Sequence, residues 1–265
     1  MDLMRPMTML PAFVVGFVGG MVVHLSILYA VLFGCLLTMM QAGGQALNQT
    51  NPIEIAIDRQ NGKIYRPTVS GAVTTGNARK FAYSILFLAF LTSVLLHIWL
   101  YGLMMLMLAV SYTEEPLYLK KIFPINLIVQ AISRGFLPIY ALGIIAGIDT
   151  IPLAIFSMIW VIGLQSTKDF NDVEGDRSHG IKTLPVLIGN APAQSVMFFI
   201  TVLDYGYAIY IGLWFLIFLL PLDLLSIFMV MKTLKHAENS AGWVFFYTSL
   251  GLGTVFGLAG LVGLI

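Results

Sequence analysis

The chain has 265 residues, of which 58% are hydrophobic and only 10% charged, with a mean hydropathy of +0.90. Soluble domains carry about 25% charged residues, so this balance excludes a soluble globular protein and leaves no room for a soluble domain beside a membrane one. A net charge of +1 without a basic tract points to no nucleic-acid partner, and the single cysteine, Cys35, excludes a disulfide framework or a thiolate metal site.

Apolar runs of spanning length recur along the sequence, at 7–24, 26–47, 80–97, 99–112, 125–146, 150–168, 191–210, 213–235 and 241–263. They predict nine transmembrane helices. The apolar start lacks a small-residue cleavage site, so no cleavable signal peptide is expected. The loops alternate in character. Arg59, Lys63, Arg66, Arg79 and Lys80 follow the second span, and Lys120 and Lys121 the fourth. Lys168, Arg177 and Lys182 follow the sixth, and Lys232 and Lys235 end the eighth. With Arg5, these make thirteen of the fourteen basic residues, all on one side; only Arg134 lies within a span. This asymmetry places the amino terminus and these loops in the cytoplasm of a multi-pass protein.

The stretch Asp169, Asp172, Asp176, Arg177, Gly180, Pro185, Gly189 has a second copy 118 residues earlier, at Asn51, Glu54, Asp58, Arg59, Gly62, Pro67 and Gly71. Pro6 likewise lies 118 before Pro124. A fixed offset signals internal duplication. The expected architecture is therefore all-α and integral to the membrane. One domain over 1–265 contains two parallel four-helix repeats, about 1–118 and 119–236, plus one extra helix, around a central cavity. The two acidic segments emerge on the cytoplasmic side and are expected to face one another there.

On a helix, residues at i, i+3 and i+7 share a face. Asp169, Asp172 and Asp176 have that spacing, as do Asn51, Glu54 and Asp58. Oxygen ligands without His or Cys suit a hard cation, and Mg²⁺ takes one or two carboxylates together with substrate phosphate oxygens. Lys63, Arg66, Lys120, Lys121, Arg177 and Lys182 stand in the same loops, which suits a metal-bridged anion such as a diphosphate. The alternative is a solvated loop with ordinary charge pairs. Asn51, Pro52 and Glu54 also read as an N-cap, a first-turn proline and a capping-box acid, so the first acidic helix is expected to start afresh at Asn51. Gly62 and Gly180 should end the acidic helices, Pro67 and Pro185 fix the loops that follow, and Gly71 and Gly189 turn them. Such a loop is placed to fold back as a lid that excludes water.

The run Lys168-Asp169-Phe170-Asn171-Asp172-Val173-Glu174-Gly175-Asp176-Arg177, with Gly180, Thr183, Leu184 and Pro185, resembles the second aspartate-rich motif of the UbiA-type intramembrane prenyltransferases. Arg5-Pro6 resembles that family's opening, and Tyr112 with Glu115-Pro116-Leu117 and Lys120 resembles its Tyr-Ser-x-Pro-Pro-Leu-x-Leu-Lys stretch. The first motif departs from pattern, offering Asn51, Glu54 and Asp58 where the family has Asn-Asp-x-x-Asp-x-x-x-Asp. Asn48-Gln49 resembles the Asn-Gln opening of some members, but two extra residues then intervene before Asp58, and the 118 offset favours the register through Asn51. The resemblance implies Mg²⁺-dependent transfer of a polyprenyl group from its diphosphate to an acceptor in the bilayer. That acceptor is a quinone- or chlorin-type aromatic precursor or a glyceryl-phosphate ether lipid. It also implies Asp58, Asp172 and Asp176 as catalytic metal ligands supported by Asn51, Glu54 and Asp169. Lys63, Arg66, Lys120, Lys121, Arg134, Arg177 and Lys182 would hold the diphosphate.

Charges inside spans are costly and should face the interior. Arg134 could reach the diphosphate or pair with an aspartate; Asp204 and Asp223 could orient an acceptor, take a proton or serve in structural pairing. His24, His97, His179 and His236 show no ligand spacing and read as surface or interfacial. The rival reading is a transporter with a duplicated helical bundle. Transporters keep their ionisable site near the midplane, whereas here acidic and basic groups gather at one face.

Overall fold

The computed structural model describes residues 2–4, 6–232 and 240–265; Arg5, Lys235 and His236 lie outside them. Each of the nine apolar segments falls on helix among the described residues. Three helices are long and apolar enough to cross a membrane, Ile27–Asn48, Thr75–Leu95 and Ile125–Ala146, and five further apolar helices are shorter. Among the described residues, three of the nine expected spans have full spanning length and composition. The seventh segment, Asn190–Tyr210, is long enough but is made polar by Asn190, Gln194, Thr201 and Asp204.

The chain divides into two compact units, Met1–Lys120 and Lys121–Ile265. The first contains α1 (Pro6–Val22), α2 (Ile27–Asn48), α3 (Pro52–Gln60), α4 (Thr75–Leu95) and α5 (Trp99–Thr113). Here α2 is the central helix, against which α1, α4 and α5 all pack. Small residues permit the approach. A Cβ on Gly16 would stand 2.8 Å from the Gly34 Cα, and one on Gly43 2.6 Å from Leu86. Close backbone contact of this kind is how helices associate where lipid removes the hydrophobic drive.

The second unit contains α6 (Ile125–Ala131), α7 (Leu137–Ala146), α8 (Ile151–Gln165), α9 (Val173–Ser178), α10 (Leu184–Ile188), α11 (Asn190–Tyr210), α12 (Leu220–Lys232) and α13 (Ser240–Leu261). Its central helix is α8, packed by α6, α7, α11 and α13. Between α6 and α7 the helix passes through a π turn, Ile132–Phe136. Pro138 has no N–H to return to the Arg134 carbonyl, and the Leu137 N–H reaches back to Ile132 instead. In each unit, then, the central helix leads directly into an acidic segment.

Helix ends follow local chemistry. His24 and His97 close α1 and α4 with φ of 62° and 59°, both exposed, in agreement with a surface role. The repeated glycines all adopt the left-handed conformation, with φ of 70° at Gly62, 78° at Gly71, 71° at Gly180 and 85° at Gly189. All four glycines that match at the 118-residue offset thus take a positive φ.

Candidate active site

In the first unit the acidic helix starts where the sequence places it. Asn51 is the N-cap of α3: its Oδ1 accepts the Ile53 N–H at 2.9 Å, and Pro52 occupies the first turn. Its Nδ2 donates to the Thr113 carbonyl at 2.7 Å, so the whole carboxamide is engaged in anchoring α3 against the end of α5. Glu54 takes partners outside α3. Its carboxylate points to the chain beyond α5, where the Tyr118 hydroxyl donates to Oε1 at 2.7 Å and Lys120 Nζ pairs with the same oxygen. Asn48 donates to Oε2 at 3.3 Å.

Asp58 lies one turn further along the same face. Arg66 pairs with its Oδ2, and Lys63 Nζ lies 3.7 Å from Oδ1. Glu54 and Asp58 are each only 4% exposed, so these pairs are held out of water, where losing one partner is costly. The first unit thus brings together Asn51, Glu54, Asp58, Lys63, Arg66 and Lys120.

The second motif departs from expectation. Asp169, Asp172 and Asp176 do not share the face of one α-helix. Residues Ser166–Asn171 form a 3₁₀ turn, Asp172 stands at the break with φ −111° and ψ 6°, and α9 begins at Val173. The Thr167 hydroxyl returns to the Leu164 carbonyl at 2.7 Å, competing with the α-helical ladder where α8 ends. Asp169 and Asp172 are half-buried, Asp176 is buried and Arg177 is exposed. Pro185 opens the short helix α10 and does not stiffen a loop.

The loop after α9 is tied down by its backbone. The Lys182 N–H donates to the Lys121 carbonyl at 3.2 Å, and the Lys182 carbonyl accepts from Asn126 Nδ2 at 2.9 Å, while its side chain is exposed. Among the described residues Arg134 pairs with no aspartate. Its guanidinium donates to Gln165 Oε1 at 3.3 Å, at the last residue of α8 and four residues before Asp169. Asp204 and Asp223 are fully buried, as expected of intramembrane charges.

Among the described residues no three His, Cys, Asp or Glu side chains converge as a metal cage. The donors present nevertheless fit Mg²⁺, which needs only one or two carboxylates when phosphate supplies other oxygens. Sequence reasoning missed Tyr118 and Gln165 and made no use of the Asn48 side chain. Only the position of Tyr118 two residues before Lys120 offered a signal.

Residues 7–256 match the UbiA prenyltransferase family. A digeranylgeranylglyceryl phosphate synthase of Methanocaldococcus jannaschii is 27% identical over 251 residues, covering 90% of this chain and 86% of its own. Its namesake from Pyrococcus abyssi is 31% identical over 205 residues, covering 74% and 70%. Among solved structures, a UbiA homologue of Archaeoglobus fulgidus bound to GPP and Mg²⁺ aligns with a TM-score of 0.74 at 18% identity, covering 98% of both chains. A structure described as digeranylgeranylglyceryl phosphate synthase in membranes aligns at 0.64 with 23% identity, covering 98% and 97%. At these identities the structural likeness shows the fold. Nothing in these relationships supports the transporter reading. With a match that spans almost its whole length, the chain belongs to the UbiA prenyltransferase family and is an enzyme.

Proposed function

We propose that this enzyme transfers a geranylgeranyl-class group from its diphosphate to a glyceryl-phosphate ether-lipid acceptor within the membrane, with Mg²⁺ as cofactor. The names of its relatives support the acceptor class. The observation that carries the chemistry is the pair of buried carboxylates on α3, each already matched by a cation of its own unit. Such a set exchanges partners at little electrostatic cost: carboxylates to metal, ammonium and guanidinium groups to phosphate.

In this reading Asp58, Asp172 and Asp176 are the principal metal ligands, Glu54 and Asp169 assist, and Asn51 acts by fixing the start of α3. Bound Mg²⁺ supplies neutralisation of the charge that develops on the departing diphosphate. Lys120 and Arg66 donate to its oxygens, with Lys63, Lys121, Arg134, Arg177 and Lys182 as further donors. The allylic carbon–oxygen bond breaks, the acceptor hydroxyl oxygen bonds to the same carbon, and its proton leaves. Apolar and aromatic surroundings shelter the cationic carbon. Donors that strengthen as charge builds on the leaving group stabilise the transition state more than the ground state. We also infer a cytoplasmic amino terminus and cytoplasmic acidic loops, from the distribution of basic residues.

The test incubates purified full-length protein with labelled geranylgeranyl diphosphate and Mg²⁺. Geranylgeranylglyceryl phosphate is offered in one arm and aromatic quinone precursors in another, with products read by mass spectrometry. A doubly prenylated glyceryl phosphate is expected. A product from the aromatic arm alone replaces the acceptor, and no Mg²⁺-dependent product in either arm overturns the assignment.

A further inference from the structure

Arg134 is a cation within a span whose partner is neutral. In the first unit Lys120 pairs with Glu54, and Arg66 and Lys63 pair with Asp58. In the second unit Arg134 enters no ion pair among the described residues, and its guanidinium donates to the side-chain carbonyl of Gln165 at 3.3 Å. Gln165 is 1% exposed, and its Nε2 has no hydrogen-bond partner. A buried donor left in this state costs stability. An apolar side chain at 165 would avoid the cost, so packing alone does not account for the amide.

The backbone prepares the contact. After a short turn at 147–150, α8 runs back against α7 and α6. The helices meet where Gly135, in the π turn, lies on Ser157 and Met158; a Cβ there would stand 2.5 Å from the Ser157 carbonyl oxygen. Gln165, the last residue of α8, lies about 10 Å further along that helix than Met158, at 1.5 Å per residue. Helical side chains lean toward the N-terminus of their own helix. Because the two helices are antiparallel, Arg134 leans toward the C-terminal end of α8, and Gln165 leans back to meet it. Two long side chains close the gap, and the guanidinium is held four residues before Asp169.

A carboxylate at 165 would hold this guanidinium and cancel its charge. An amide holds it and leaves the charge whole. A whole charge within a span is costly, yet it suits a group that must meet an anion arriving with the substrate. We propose that Gln165 is a positioning residue for the diphosphate of the prenyl donor, fixing Arg134 at the end of α8 as a cation that no carboxylate neutralises. Gln165 itself needs no contact with substrate in this role. The role rests on Arg134 being one of the diphosphate donors, and it adds the residue that aims it.

The test measures binding of inorganic pyrophosphate to full-length protein in detergent by calorimetry, at fixed Mg²⁺ and without prenyl donor or acceptor, together with the melting temperature. Arg134→Met should weaken pyrophosphate about tenfold, the worth of one charged hydrogen bond. Gln165→Glu keeps the shape and pairs with Arg134; it should weaken pyrophosphate as much while melting no lower than the unaltered protein. Gln165→Leu leaves the guanidinium without its holder and should weaken binding by a smaller factor, about threefold. A purely structural amide gives another pattern, with affinity unchanged in Gln165→Glu and any effect confined to melting. Normal affinity in the Gln165 variants beside a weakened Arg134→Met overturns the positioning role and leaves Arg134 at the diphosphate. Full affinity in Arg134→Met removes Arg134 from the diphosphate and the positioning role with it. Glycerol phosphate is the second probe, and weakening seen with it alone would overturn the placement at the diphosphate. Either Gln165 variant decides the matter where the other fails to fold.

Discussion

The Glu54–Lys120 pair gives the sharpest test of the site geometry. Its side chains are 6% and 13% exposed, below the level at which solvent screening reduces an ion pair to a few tenths of a kcal/mol. Removing one partner of a buried pair costs about 3–5 kcal/mol, largely because the other charge is stranded. In Lys120→Met, Glu54 keeps the Tyr118 and Asn48 donors, so the loss should fall near the lower end, about 3 kcal/mol. In Glu54→Gln, Lys120 retains some access to water, and about 2 kcal/mol is expected, near the strength of a charged hydrogen bond. The double variant strands nothing, so its loss should be smaller than the sum, with a coupling of about 2 kcal/mol. The assay is unfolding in mixed micelles with EDTA present, for all four corners of the cycle. Additivity within about 0.5 kcal/mol would show that the two groups do not act as a pair, and would remove the basis for partner exchange.

Tyr118→Phe deletes one donor to Glu54 while Lys120 remains, so we expect a stability loss of about 1 kcal/mol. Prenyl transfer should fall less in this variant than in Lys120→Met, measured as product per minute at saturating diphosphate. Gly62→Ala and Gly180→Ala place a Cβ at φ near +70° with nothing within 4 Å, so each should cost only the left-handed penalty of about 1–2 kcal/mol. The same unfolding assay checks this, and a loss above that range would mean that the turns hold more than backbone conformation. Chelation of Mg²⁺ should abolish transfer and addition of Mg²⁺ restore it, read by product mass spectrometry.

Much of the fold was legible because it rests on signals that are local in sequence. Apolar runs bounded by glycine or charge mark the nine helical segments, and Asn51 with Pro52 marks the start of α3. Glu54 and Asp58, one turn apart, share a face because α3 is a true α-helix. The same spacing misled at Asp169, Asp172 and Asp176, since the Thr167 hydroxyl gives the Leu164 carbonyl a hydrogen bond that competes with the α-helix. The partners of the acids were less visible. Tyr118, Asn48 and Gln165 are neutral, follow no period, and take their meaning from chain ends brought together by packing. That neither oxygen of Asp204 has a partner among the described residues was equally hidden, because a sequence shows a buried charge but not what meets it.

What the two acidic segments share is an exit turn. Asp58 and Asp176 are each third from the end of their helices. In both copies the carbonyl of that aspartate accepts the N–H five residues on, from Lys63 at 2.8 Å and Ile181 at 2.9 Å. The glycine between donates to the carbonyl after the aspartate, Gly62 to Arg59 at 3.2 Å and Gly180 to Arg177 at 3.3 Å. This double bond pattern closes a helix on a left-handed glycine, and it sets the aspartate at a fixed position relative to the chain reversal. The entrances differ, a capped α-helix in one copy and a 3₁₀ turn in the other. The residue after the glycine differs too. Lys63 reaches back toward Asp58, whereas Ile181 is wholly buried. The backbone device is therefore shared while its local charge balance is not. The position that brings an amine toward Asp58 through Lys63 holds an apolar side chain, Ile181, in the second copy.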